Sequence, residues 1–160
     1  MARADHHADE LEGANAELIS FAESCSEDQW RMIVPGENWS VGTLVHHCAL
    51  GHATASSWIR EMIETGAVST TAEELDASNA RHAADFANPA ITETVDLLRR
   101  NGTAAAGVLR SLSDEELERE AAFGPAGGRI FKVESFAGMF SRHPISHLAN
   151  ARAAIATAGA

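Results

Sequence analysis

Two short stretches hold most of the chain's eight histidines. "WSVGTLVHHCALGH" runs from Trp39 to His52 and carries His46, His47 and His52. "RHPISH", far downstream, carries His143 and His147. Imidazole titrates near neutral pH and is the commonest metal ligand, so spacing decides which chemistry is in reach. His143 and His147 are four residues apart, which on a helix puts both rings on one face, one turn from each other. Two neutral imidazoles so placed can grip one divalent cation, although the same spacing also occurs on ordinary helix surfaces. A catalytic ion takes three protein ligands and leaves a fourth position to water or substrate, so a third donor must come from elsewhere. Pro144 sits between the two histidines. It removes one backbone donor and crowds the carbonyl four residues back, which predicts a bend near Phe140.

The remaining histidines divide by position. His46 and His47 differ by about 100° around one helix, so they cannot both enter one site. His47 lies about 60° beyond the edge set by Leu44 and can face a neighbouring helix, whereas His46 is expected to face water. His52 falls about 20° from Val41, inside the apolar stripe, where it reads either as a hydrogen-bonded core residue or as a partner of the site. His82 and Asn79 lie in a long connection, on the surface or reaching over the site. His6 and His7 precede the first helix and are expected to be solvated. Glu134, about two turns before His143, is too far to serve as its base, and no general base can be named.

The elements that must position these rings follow from periodicity. Leu11, Leu18, Ile19 and Phe21 mark a first helix from about Ala8 to Cys25. Pro35-Gly36 is turn chemistry, with Trp30 packing close by. Ser40 is a natural N-cap for a second helix carrying Val41, Leu44, Val45, Cys48, Ala55, Ile59 and Met62, which ends at Gly66. A long connection follows, with a short helix over Ala72–Arg81. Pro89 is placed to open a third helix in its first turn, and Ile91, Val95, Leu98, Ala105 and Leu109 carry it to about Leu112. "SDEEL" reads as a capped turn and "FGPAGGR" as a loop. "IFKVESFAGMFSRHPISHLANARAAIATA" then reads as one fourth helix. Four apolar stripes without strands predict an all-α, four-helix bundle in a single domain over residues 1–160. The long crossover between helices two and three lets those two run parallel.

The motifs now reach a family. "W-S-V-x-x-L-V-H-H-x-A-x-x-H", followed far downstream by "H-P-I-S-H-L-A-N-A-R", resembles the DinB/YfiT-like superfamily of helical-bundle metalloproteins. Counting eight positions from Trp39 assigns the first family ligand to His47 rather than His46, and the closing pair to His143 and His147. The doubled histidine with another five residues on matches the YfiT-like branch at His46, His47 and His52. The resemblance implies a divalent ion on three imidazoles plus water, zinc or nickel foremost with iron or manganese as alternatives. It implies a homodimer and a small-molecule substrate. The activities it implies are thiol S-transfer with a low-molecular-weight thiol, or hydrolase-like chemistry. The contrasting reading is a bundle that only binds a metal or small ligand. The extra C-terminal domain of the larger maleylpyruvate isomerases is missing, which puts that activity in doubt.

Composition narrows the partners. Twenty-three acids against twelve bases give a net charge of -11. Nucleic-acid binding needs a basic footprint, and none is visible, so neither DNA nor RNA nor an anionic membrane is an expected partner. Cys25 and Cys48 make no disulfide framework, and no apolar signal or spanning segment is present, so the expected location is the cytoplasm. Other chemistries lack their motifs. There is no H-E-x-x-H, no E-x-x-H for a carboxylate di-iron bundle, no G-x-S-x-G, and no phosphate-binding glycine loop. Cys48, inside the helical stripe, reads as a small hydrophobe rather than a nucleophile.

Overall fold

A computed structural model of the chain describes residues 2–159. Its elements, in order, are α1 (Arg3–Ser24), α2 (Glu27–Arg31), α3 (Val41–Thr65), β1 (Ala67–Val68), α4 (Ala72–Asp85), α5 (Ile91–Arg110), α6 (Asp114–Glu118), β2 (Glu120–Phe123), β3 (Arg129–Lys132), α7 (Val133–Ala137) and α8 (Met139–Ala158). The bundle consists of α1, α3, α5 and α8. No helix among the described residues is long and apolar enough to cross a membrane.

The core is two apolar clusters, and they fix the helix directions. One gathers Ala4, Ala8 and Leu11 of α1 with Ile59 and Met62 of α3, Ala105 and Leu109 of α5, and Phe140 of α8. The other gathers Leu18 and Phe21, Val41 and Leu44, Val95 and Leu98, and Leu148 and Ala151 from the same four helices. The start of α1 and the end of α3 therefore share one end of the bundle. It follows that α3 and α5 run parallel, as the crossover predicts, and that α1 and α8 oppose them. Contacts join α1 to α5 and α8, and α3 to α5 and α8. The first two helices of the bundle, α1 and α3, thus sit across the diagonal.

Local chemistry explains why these segments start where they do. Ser40 caps α3 by accepting the Thr43 amide at 3.0 Å, and Gly66 ends the helix with φ 76°, a left-handed position that suits glycine. The Thr43 hydroxyl donates to the Phe86 carbonyl at 2.9 Å, which pins the end of α4 to the start of α3. Trp30 is 1% exposed and its indole N–H donates to the Pro89 carbonyl at 2.8 Å. A Cβ at Gly42 would overlap that indole, so α3 can pass Trp30 only with glycine there.

Four expectations are corrected. Helix α1 begins at Arg3, so His6 and His7 lie inside it, and His7 is half-buried rather than solvated. Pro89 precedes the Ala90 cap of α5 instead of opening the helix, because its carbonyl serves Trp30. The segment from Ile130 is not one helix. Residues Arg129–Lys132 form β3, which pairs antiparallel with β2, and β1 pairs parallel with β2 on the other side. The glycine-rich loop is the turn of that hairpin, with Gly127 and Gly128 at φ 67° and 79°. Strands of two to four residues are too short to show alternation, and the turn residues between them resemble any loop. The break in the last helical segment falls at Gly138, between α7 and α8, two residues before the position inferred from Pro144.

Candidate metal centre

Helix α3 brings His47 towards α8, and α8 presents His143 and His147 one turn apart. One ligand nitrogen from each ring lies within 4.8 Å of the others. His143 Nε2 and His147 Nε2 are 3.2 Å apart. The His47 ring stands edge-on to both, at 5.7 and 5.6 Å between centroids.

Glu37 completes the cluster, and no reading of the sequence found it. It lies in the "PGEN" turn before α3. Its Oε1 accepts from His147 Nδ1 at 3.1 Å and from the Asn150 amide at 2.8 Å. A proton fixed on Nδ1 leaves Nε2 of His147 as the lone pair turned to the other two rings, the usual way a carboxylate orients a metal-binding histidine. Burial by itself raises the Glu37 carboxyl. The Asn150 amide and the His147 ring outweigh that and hold it below the ordinary carboxylate range. The signal available in sequence was an acid in a turn two residues before Trp39, which is too common to single out.

Burial keeps two of the donors, His47 and His143, neutral. Burial first, then the neighbouring rings of His143 and His147, push His47 down to about 3. Partial desolvation and His147 push His143 to about 4. Neutral imidazoles are the form that ligates, so these two rings are ready donors at physiological pH. Three nitrogens and no thiolate suit zinc, nickel or another borderline divalent ion.

A second ring pair lies alongside. His46 was expected to face water, but it is 6% exposed. Helix α4 folds back over that face of α3, so His46 Nδ1 meets His82 Nε2 at 3.0 Å and the His46 ring stacks on Phe86 at 4.1 Å. His82, read as a surface residue or one reaching over the site, is buried and lies 5.6 Å from His47 between centroids. Burial lowers the affinity of both His46 and His82 for a proton.

A cavity of about 310 Å³ opens beside the triad. His47 and His143 line it together with His52, Asn79 and His82, and Trp58, Phe123, Phe136, Met139 and Phe140 add apolar walls. The crossover helix α4 roofs the cavity, while the small sheet places Phe123 against Trp58 at 5.2 Å. No lysine, arginine, aspartate or glutamate is among its described lining residues. Cys48 is buried, and burial raises its thiol to about 12, so it is not a thiolate at neutral pH. Glu134 is paired with Arg3 near the start of α1, away from the triad.

The fold has a known counterpart. The structure of YfiT from Bacillus subtilis, described as a probable metal-dependent hydrolase with an unusual four-helix bundle topology, superposes with a TM-score of 0.81. The two sequences are 22% identical over 98% of this chain and 87% of that one. No curated protein matches the chain. The sequence profile of the DinB superfamily matches residues 10–151, nearly the whole bundle. Together with the bundle topology, that match identifies this chain as a member of the DinB superfamily.

Proposed function

We propose that the chain is a divalent-metal-dependent enzyme of hydrolase type acting on a small, uncharged molecule. The observation that carries this is the triad: three imidazoles converging beside a cavity, with no fourth donor among the described residues in the group. His47, His143 and His147 would hold the ion. When bound, a zinc- or nickel-like cation supplies Lewis acidity, which polarises a carbonyl and makes water a stronger acid. The protein's share is positioning. Glu37 and Asn150 fix the His147 ring, and the apolar walls of the cavity exclude bulk water, so polar interactions inside act in a low dielectric.

The resemblance to YfiT supports the hydrolytic form, since that protein is described as a probable hydrolase. Thiol S-transfer has less support. Thiols such as glutathione carry carboxylates, and the cavity lining offers them no cation. A purely metal-storing bundle would be expected to close the coordination sphere with a fourth side chain, whereas here His47 and His143 line a cavity and no fourth donor among the described residues joins the triad.

The test is metal content. Untagged protein should carry about one ion per chain, and His47→Ala should carry none while keeping its helical signal. An unchanged ion content in His47→Ala removes that residue from the site. The loaded protein should then turn over neutral aryl esters or amides, and a rate equal to the metal-free control removes the hydrolase reading.

A further inference from the structure

Between the two apolar clusters lies a buried polar contact. Asn15 of α1 reaches His52 of α3 across the diagonal, and both are buried, at 7% and 3% exposure. A buried polar pair is costly unless every proton is placed, so its hydrogen bonds can be read one by one. The Asn15 amide nitrogen donates to the Leu98 carbonyl of α5 at 3.1 Å. That fixes which end of the amide is which: Oδ1 is the atom that faces His52 Nε2, also at 3.1 Å. A carbonyl oxygen only accepts, so His52 Nε2 must carry the proton. In a neutral ring Nδ1 is then bare.

Among the described residues the Nδ1 atom has no hydrogen-bond partner, and it is not among the sealed, unpartnered side-chain atoms, as Nδ1 of His82 is. The open space that His52 lines is the cavity beside the triad. Glycine at position 102 is part of the device. A Cβ there would overlap the Asn15 side chain, so α5 leaves the gap in which the amide lies. Glycine in a helix interior costs roughly 1 kcal/mol against alanine, which this gap explains.

We infer that His52 contacts the substrate: Asn15 holds its Nδ1 as a bare acceptor facing the cavity, where it selects uncharged, largely apolar molecules that present an N–H or O–H donor, such as secondary aryl amides. This rests on reading the cavity as the substrate site. Burial supports it by pushing the ring down to about 4, so that it does not gain a second proton at neutral pH. The apolar walls strengthen the selection, because a donor that enters without an acceptor loses its hydration uncompensated. Asn15 acts through His52 and is a positioning residue.

The experiment uses metal-free full-length protein and three probes of similar shape: acetanilide, which has an N–H, and N-methylacetanilide and phenyl acetate, which have none. Nitrogen-15 NMR of the imidazoles should show His52 with a protonated Nε2 and a bare Nδ1, and Asn15→Leu should lose that single tautomer. Wild type should bind acetanilide roughly two- to tenfold more tightly than the other probes. His52→Gln keeps an N–H towards Asn15 but has no acceptor at the Nδ1 position, so the preference should vanish. His52→Asn places a carbonyl near that position and should retain part of it. A protonated Nδ1, no preference in folded wild type, a preference that survives His52→Gln, or no binding of any probe each overturns the inference. Metal content separates the two readings: a chain that holds the ion but shows no preference loses only this inference, and a chain with the preference but no ion loses only the metal-dependent reading.

Discussion

His147 and His52 each give one ring nitrogen to an oxygen of the protein, and the partner decides what the other nitrogen is for. At the triad the partner is a carboxylate, Glu37, in a half-exposed turn; it takes the Nδ1 proton of His147 and leaves Nε2 turned to His47 and His143. At the waist the partner is a neutral amide, Asn15, inside the bundle; it takes the Nε2 proton of His52 and leaves Nδ1 turned to the cavity. The carboxylate adds charge density behind a ligand, which favours a cation. The amide adds none, which favours a neutral hydrogen-bond donor. Two histidines, one in the triad and one on the cavity, differ in this way through their hydrogen-bond partners alone.

Substitutions should separate the two regions, and the largest effect belongs to the triad. His147→Ala should bring metal content from about one ion per chain to near zero. It should also abolish the stabilisation that excess metal gives wild type, about 2.7 kcal/mol at a hundredfold excess over Kd. Thermal melts with and without added zinc measure this. A His147→Ala chain that is still stabilised by zinc breaks the contrast.

Acid should strike the waist. His52 is lowered from 6.5 to about 4. Between those values the unfolded chain takes a proton that the folded ring refuses, so stability is full above about pH 6.5, falls as pH drops, and levels off below about 4. Between pH 7.5 and pH 4.5 the loss from this one ring is on the order of 2 to 3 kcal/mol. Denaturant titrations at pH 7.5 and pH 4.5 should therefore show a smaller drop for His52→Gln than for wild type. Equal drops would mean that His52 is not the group titrating.

Next in size is Glu37→Gln, which removes the charge behind His147 but keeps its shape. Metal affinity should fall by about 10- to 100-fold with little change in metal-free stability. Competition with a chelator reads the first, a urea titration the second. The smallest effect is expected from Gly102→Ala. Displacing Asn15 costs about 1 to 3 kcal/mol, partly offset by alanine's better helix propensity, so the net loss should be about 1 to 2 kcal/mol. Its metal affinity should match wild type, since the hydrogen bonds of Asn15 go to Leu98 and His52 rather than to the triad, and a changed affinity would show the two regions to be coupled.

What was legible in the sequence is what repeats or stands at a fixed offset. The four apolar stripes gave the bundle, Ser40 and Gly66 gave both ends of α3, and the length of the crossover gave the parallel pair α3 and α5. The H-x-x-x-H spacing placed two rings on one face, and the offset from Trp39 selected His47, which the structure brings to within reach of both. What was illegible depends on contacts between distant segments. Helical angles alone put His46 in water, because they locate a residue on its own helix and say nothing of a crossover that returns to cover it. Glu37 was missed because a turn acid acquires meaning only when α8 packs against the turn. The Asn15–His52 link joins residues 37 apart on diagonal helices, and the glycine that makes room for it lies on a third. The small sheet escaped because its strands are shorter than the period that would reveal them.

The central claim is that three imidazoles from two distant helices share one cation. Anomalous diffraction from zinc-loaded crystals tests it most directly. The account predicts one peak per chain, about 2.0–2.1 Å from a nitrogen of each of His47, His143 and His147, with Glu37 on the far side of the His147 ring. A fully loaded chain whose peak lies elsewhere, or is held by the His46–His82 pair instead, would contradict it.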